Sequence, residues 1–286
     1  MEEARISPFD HGFLYGDGIF ETMRVYGGVV FGFDEHIRRL GRSAALLEMK
    51  LPLSDAEFKA AAGALIDENA LVDATVRITV SRGAGDFGLS PRLCPTPTVF
   101  IAAVPLKPYP SEFWRTGVAV ITARTRRNLR EALDPRIKSM NFLNNIMAKI
   151  EAERAGAFEA LMLNHAGHIA ECTVSNIFFV KNEAVHTPSS ECGILEGITR
   201  GIVMDTARGA GLKVSEGVYS PAQLYAADEV FLTNSTMEVM PVARVDDTEF
   251  GPPQPGSITE KLRSAYVEGV ARRVLNDLTP THGRSR

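Results

Sequence analysis

Apolar and polar positions recur with two different periods along the chain, and each change of period marks an element. In DEHIRRLGRSAALLEM, residues 34–49, Ile37, Leu40, Ala44 and Leu47 fall at helical spacing, which predicts a helix with Asp34 as its N-cap. SDAEFKAAAGALIDEN predicts a second helix, opened by Ser54 and Glu57 at the spacing of a reciprocal capping box. The runs TVRITVSRG (75–83) and TPTVFIAAVPL (96–106) are rich in β-branched residues and read as strands. LKPYP, at 106–110, then interrupts the periodic structure. It predicts a boundary between a small N-terminal α/β domain, 1–110, and a larger C-terminal domain, 111–286.

Beyond the prolines, GVAVITARTRR (117–127) reads as a strand, and a helix follows Lys138 with Met140, Leu143, Met147 and Ile150 on one side. EALMLNHAGHIAE predicts a hairpin turning at Asn164–Gly167, and SNIFFVKN another strand. Helices are predicted in GITRGIVMDTARGAG and ITEKLRSAYVEGVARRVLNDL, whereas the closing TPTHGRSR has no apolar period and is expected to fray. Strands and helices without regular βαβ alternation make the fold class α+β.

Composition narrows the classes. With 286 residues, 45% of them hydrophobic, the chain can bury two cores. A net charge of −4 leaves no electrostatic footprint for nucleic acid. Cys94, Cys172 and Cys192 form no CxxC spacing, which suits a reducing cytosol and suggests neither a disulfide framework nor a zinc site. No run approaches the roughly 20 apolar residues that span a bilayer. The start, MEEARISPFDHG, lacks the basic-then-apolar order of a signal peptide. A cytoplasmic protein without a membrane partner is expected.

Four local features carry candidate chemistry. In IKSMNFLNN (137–145), Lys138 stands before a helix among the amides of Asn141, Asn144 and Asn145. A helix start and partial burial both favour the neutral amine, the form that condenses with an aldehyde. In SECGILEGITR (190–200), Gly197, Ile198 and Thr199 fall where a turn enters a helix, so their N–H groups suit an anion, although a plain Gly-rich turn reads the same way. Glu171, in AECTVSNIFFV, is an acid among apolar and small residues; it is either solvated or partnered. In FLTNSTMEVMPV, Ser235 and Thr236 end a strand with hydroxyls that suit a phosphate. Together these are the parts that pyridoxal 5'-phosphate requires: an amine for its aldehyde, an acid for its pyridine nitrogen, and a phosphate cradle. His165 and His168 bracket a turn with no third ligand at useful spacing, so no metal site is expected.

At these residues the chain resembles a known family. ECTVSNIF, VHT and LEGITR, between Glu171 and Arg200, are similar to the signature of class IV aminotransferases. DHGFLYGDGIFETMRVY, DEHIRRL, IKSMNFLNN and DEVFLTNSTMEVMPV resemble further family blocks in the same order, over nearly the whole chain. The resemblance implies the two-domain fold type IV of pyridoxal phosphate enzymes, like D-amino acid aminotransferases, with the cofactor between the domains and the C-terminal one its main binding domain. It implies Lys138 as the Schiff-base lysine and acid–base, and Glu171 as the partner of the pyridine nitrogen. Arg39, the backbone of Gly197, Ile198 and Thr199, and the Ser235–Thr236 pair would bind the phosphate. It further implies a homodimer, and ping-pong transfer between an amino acid and a 2-oxo acid.

Within the family, KSMNFLNNIMAKIEA, LMLNHAGHIAEC, GILEGITR and GSITEKL most resemble bacterial and archaeal branched-chain aminotransferases. Tyr15, Phe20, Thr22, Arg24 and Arg77 match positions around their substrate pocket, which suits an apolar side chain plus a carboxylate. Three positions depart from that branch: Thr22 replaces a glycine, Thr75 a tyrosine, and Phe142 a tyrosine. GDGIFET and LTNS resemble 4-amino-4-deoxychorismate lyases instead. The R-x-H trap of D-amino acid enzymes is replaced by Phe87 and Leu89, so a D-specific enzyme would use Arg24 or Arg82. The family's strand pair before ISPFDHG has no counterpart in this sequence: either the first strands are absent or the start codon is assigned late, and the first sheet is expected to be short of an edge.

Overall fold

The computed structural model describes residues 4–254 and 256–278. They form two compact units, one comprising the chain up to Lys107 plus Ile137–Phe142, the other Pro108–Arg136 plus the chain from Leu143 onward. The first crossing lies within LKPYP, at Lys107/Pro108, and the chain then returns to the first unit for the lysine segment. Ile137 packs on the first core, and the backbone around Lys138 bonds to a strand there, which explains the return.

The first unit contains α1 (His11–Tyr15), β1 (Gly18–Tyr26), β2 (Val29–Val30), α2 (Phe33–Leu46), α3 (Asp55–Glu68), β3 (Ala74–Ser81) and β4 (Thr98–Pro105). Its described strands form an antiparallel sheet in the order β2-β1-β3-β4. Side chains alternate across a strand. Ile19, Met23 and Val25 of β1, with Val76, Ile78 and Val80 of β3, therefore bury one face in a cluster with Ile37 and Leu40 of α2 and Phe58 of α3. The opposite face carries the buried Phe20 and the half-buried Thr22, Arg24 and Arg77, with Thr22 directly across from Arg77. The capping box expected at Ser54 and Glu57 is present on α3. The N-cap expected at Asp34 is not: α2 is entered through Gly32, at φ 66°, and Asp34 joins Glu35 in the first turn, where the helix dipole favours acids.

The second unit contains α4 (Glu112–Thr116), β5 (Val118–Thr122), α5 (Leu143–Arg154), β6 (Glu159–Leu163), β7 (Ile169–Cys172), β8 (Asn176–Lys181), β9 (Ala184–Pro188) and α6 (Ile198–Gly209). It continues with β10 (Val214–Gly217), α7 (Pro221–Tyr225), β11 (Glu229–Asn234), β12 (Glu238–Val245), β13 (Thr248–Glu249) and α8 (Ile258–Leu278). The described strands form one mixed sheet, β10-β9-β8-β11-β12-β5-β6-β7, with β13 on β12. Val120, Leu161, Ile177, Leu232 and Met240 belong to its main buried cluster. β6 and β7 form the hairpin expected around Asn164–Gly167. β5 is shorter than expected because the Glu151 carboxylate takes the N–H groups of Arg124 and Thr125, at 2.6 and 3.0 Å, away from the ladder. No helix among the described residues is long and apolar enough to cross a membrane. TPTHGRSR lies outside the described residues.

Candidate active site

Lys138 is not in a helix. Its amide donates to Ser43 Oγ at 3.2 Å, its carbonyl accepts from Phe20 N at 3.0 Å, and α5 begins only at Leu143. The expectation of a lysine beside a helix start gives way to one pinned along β1, half-buried, its Nζ 4.6 Å from the Phe20 ring centroid. The neighbouring amides are structural clamps. Asn141 Nδ2 donates to the carbonyl of Gly16 at 2.8 Å, where φ is 70°, a turn that suits glycine. Asn144 Oδ1 accepts from Arg127 Nη1 and Asn128 N, both at 3.3 Å, and Asn145 Nδ2 donates to Thr173 O at 2.7 Å.

Glu171, on β7, is 5% exposed and partnered, which removes the solvated reading. Its Oε1 accepts from Arg127 Nε at 2.8 Å, and its Oε2 from Leu195 N at 2.9 Å and Asn176 Nδ2 at 3.4 Å. Asn176 also donates to Leu195 O at 2.9 Å, tying β8 to the turn that leads into α6. By its sequence the RR pair at 126–127 reads as a solvated face, since nothing in the strand pattern distinguishes Arg127 from Arg124 or Arg126; the structure instead buries Arg127 against Glu171.

α6 starts at Ile198 with Gly197 as N-cap, which offers no side-chain bond to the first turn. Thr199 is buried there. A Cβ on Gly197 would come within 2.1 Å of Asn176 Oδ1, so only glycine lets the helix start approach the Glu171 network this closely. Between β11 and β12, Asn234 Oδ1 accepts from the amides of Thr236 and Met237 at 2.9 and 2.8 Å and shapes the Ser235–Thr236 turn. Asn234 Nδ2 reaches Val174 O at 3.2 Å, joining that turn to the segment after Glu171. That segment is fixed from below by the buried Glu159, which accepts from the hydroxyls of Thr173 and Ser175.

In the first unit Arg39 is buried, not a solvated helix residue. Its Nε and Nη2 donate to the two oxygens of Glu21, each at 2.7 Å, and His36 Nδ1 lies 2.6 Å from Glu21 Oε2. Burial pushes the Glu21 carboxyl up, but the charge and hydrogen bond of Arg39, with those of His36, outweigh it and hold it at about 2.

On the opposite face of the sheet, the Arg77 guanidinium stacks 3.7 Å from the Phe20 centroid, beside Lys138, and Phe142 meets Phe20 edge-on at 5.3 Å. Arg24 lies over Tyr26 at 4.3 Å. Tyr15 is exposed, and its hydroxyl accepts from Gly88 N at 3.2 Å. Arg82, a candidate for a D-specific carboxylate, is committed elsewhere: it pairs with Asp17 and donates to the carbonyls of Leu47 and Glu48. An amine beside aromatic rings and a guanidinium suits amino- and oxo-acid chemistry, and an anion site at a helix start suits a phosphorylated coenzyme.

Comparison with known proteins agrees with this chemistry. A family described as amino-transferase class IV matches residues 18–245, and the chain belongs to it. A Methanocaldococcus jannaschii protein with the provisional name branched-chain-amino-acid aminotransferase is 42% identical over 267 residues, 93% of this chain and 92% of that one. Aminodeoxychorismate lyase of Bacillus subtilis is 36% identical (96% of this chain, 93% of its own), as is D-alanine aminotransferase of Bacillus licheniformis (94% and 93%). Among solved structures, the T.th. branched-chain amino acid aminotransferase with pyridoxamine 5'-phosphate superposes with a TM-score of 0.90 at 32% identity, covering 96% of this chain and 91% of its own.

Proposed function

We propose that this aminotransferase moves an amino group between a branched-chain or other apolar amino acid and a 2-oxo acid such as 2-oxoglutarate, using pyridoxal 5'-phosphate. The residues fit that coenzyme: Lys138 would hold its aldehyde carbon and Glu171 its ring nitrogen. Arg39, the N–H groups of Ile198 and Thr199 behind Gly197, and Ser235 with Thr236 would hold its phosphate. When bound, the ring supplies the electron sink that lets a substrate α-proton leave. Lys138 Nζ would take and return that proton. Glu171, oriented by Arg127, would accept a hydrogen bond from the ring nitrogen.

The observation that carries the substrate class is the Phe20 ring, flanked by Lys138 Nζ and stacked on Arg77. It sets an apolar surface and a carboxylate-binding cation beside the reactive amine. Purified protein loaded with coenzyme and given glutamate is expected to convert 4-methyl-2-oxopentanoate; conversion no faster than by a Lys138→Ala control would overturn the reading.

A lyase acting on 4-amino-4-deoxychorismate is the second reading, supported by Thr22, whose hydroxyl-bearing side chain stands across from Arg77. Release of 4-aminobenzoate and pyruvate would favour it. A D-amino acid transaminase is the third, supported by the D-alanine aminotransferase relative; D- and L-alanine half-reactions, read as coenzyme absorbance, separate it. We further propose a cytoplasmic homodimer. The three buried free cysteines support the compartment. The exposed stripe of Leu143, Ile146 and Met147 on α5, and exposed Phe13, Phe87 and Leu89, support a second copy as the cover.

A further inference from the structure

We infer that Glu21 and His36 are positioning residues for Arg39: they hold its guanidinium in the one orientation that serves the coenzyme phosphate. The inference rests on the reading of Arg39 as a phosphate ligand and deepens it.

Glu21 lies on the wrong face for an ordinary acid. Its neighbours at alternate positions, Ile19, Met23 and Val25, are all core residues, and Glu21 itself is 0% exposed. A carboxylate there is costly unless it is fully partnered. Its partners are Arg39, 4% exposed, and His36, 2% exposed, one turn apart on α2. The Arg39 fork places Nε on Oε1 and Nη2 on Oε2. Two of the three guanidinium nitrogens are thereby fixed, and with them the plane and direction of the third. A free arginine would lose its rotamer entropy on being ordered by a ligand; a pre-oriented one has lost it on folding.

His36 completes the clamp. Its Nδ1 meets Oε2, the oxygen that also accepts from Arg39 Nη2, and burial pushes its pKa below the ordinary 6.5 despite the Glu21 hydrogen bond. The charged groups that act on it are Glu21 from β1, Arg39 from its own helix and Lys138 from the segment along β1. A neutral imidazole therefore steadies the carboxylate without adding a cation beside Lys138.

A core ion pair that served stability alone would affect all coenzyme forms alike, and this separates the two roles. The test compares dissociation constants of pyridoxal 5'-phosphate and of pyridoxal, which lacks the phosphate, for wild type, Glu21→Gln, His36→Phe, Arg39→Ala and the Glu21→Gln/Arg39→Ala double variant. Glu21→Gln is expected to weaken pyridoxal 5'-phosphate about tenfold, the scale of losing a partner that orients a ligating side chain, and to leave pyridoxal unchanged. The double variant should bind no more weakly than Arg39→Ala. His36→Phe keeps the Glu21–Arg39 pair and should show the same selectivity to a smaller degree, so the test stands if Glu21→Gln fails to fold. Equal weakening of both compounds, or a double variant as weak as the product of the singles, would overturn the inference. Should Arg39→Ala itself fail to discriminate the two compounds, the phosphate reading of Arg39 falls, and the clamp with it.

Discussion

Arg127 Nε donates to Glu171 Oε1 at 2.8 Å, and the two side chains are 9% and 7% exposed. The acid proposed to hold the coenzyme nitrogen is thus itself held by a cation from the segment after β5. That cation is anchored in turn by Asn144, in the first turn of α5.

Removing the cation leaves a buried carboxylate short of the guanidinium that neutralises it. Arg127→Met should cost about 3 kcal/mol of stability, the scale of breaking a buried pair from one side. Urea denaturation of the holoenzyme measures it. Arg127→Lys should recover part of the loss, since a lysine restores charge but not the planar fork. A loss under about 0.5 kcal/mol, the range of a neutral surface change, would mean the pair contributes nothing.

Gly197 predicts a steric result. In Gly197→Ala the new methyl would press on Asn176 Oδ1, 2.1 Å from the ideal Cβ, and displace the amide from Leu195 and Glu171. Overpacking of this kind costs about 1–3 kcal/mol. Coenzyme affinity should fall with it, whereas Gly201→Ala, inside α6 where a Cβ meets nothing, should leave affinity unchanged and raise stability by about 0.5–1 kcal/mol. Calorimetry on the two variants side by side checks the contrast.

The buried cluster around Glu21 sets a pH dependence. Glu21 titrates at about 2 in the folded chain against an ordinary 4.5, and His36 below its ordinary 6.5. In both cases the unfolded chain takes up its proton first, so the stabilisation is present at neutral pH and lost on acidification. His36 acts first, as pH falls below about 6.5, and Glu21 follows between about 4.5 and 2, with about 3 kcal/mol at stake. Urea midpoints of wild type and Glu21→Gln should stay apart down to about pH 5 and converge as pH drops from there towards about 2.5. Parallel curves over that range would show that Glu21 makes no such contribution.

The physical reasons for what the sequence revealed are uneven. Long amphipathic segments were legible because burial enforces their period: the closing helix, 258–278, and the Ser54–Glu57 box stand where the pattern predicted them. Boundaries set by distant side chains were not. β5 ends where Glu151, from α5, takes its amides, and α2 opens at a left-handed Gly32 that no polar cap announces. Glu21 and His36 were missed, although strand parity carried the signal, since an acid between Met23 and Ile19 must face the core. Arg127 carried no such sign, because its importance comes from the fold bringing Glu171 to it.

The central claim is that the Lys138 amine receives the coenzyme. Borohydride reduction of the coloured holoenzyme, followed by peptide mass analysis, tests it most directly. The account predicts a phosphopyridoxyl adduct on Lys138 that Lys138→Ala abolishes. An adduct on another lysine, or an enzyme that retains activity in the Lys138→Ala variant, would contradict it.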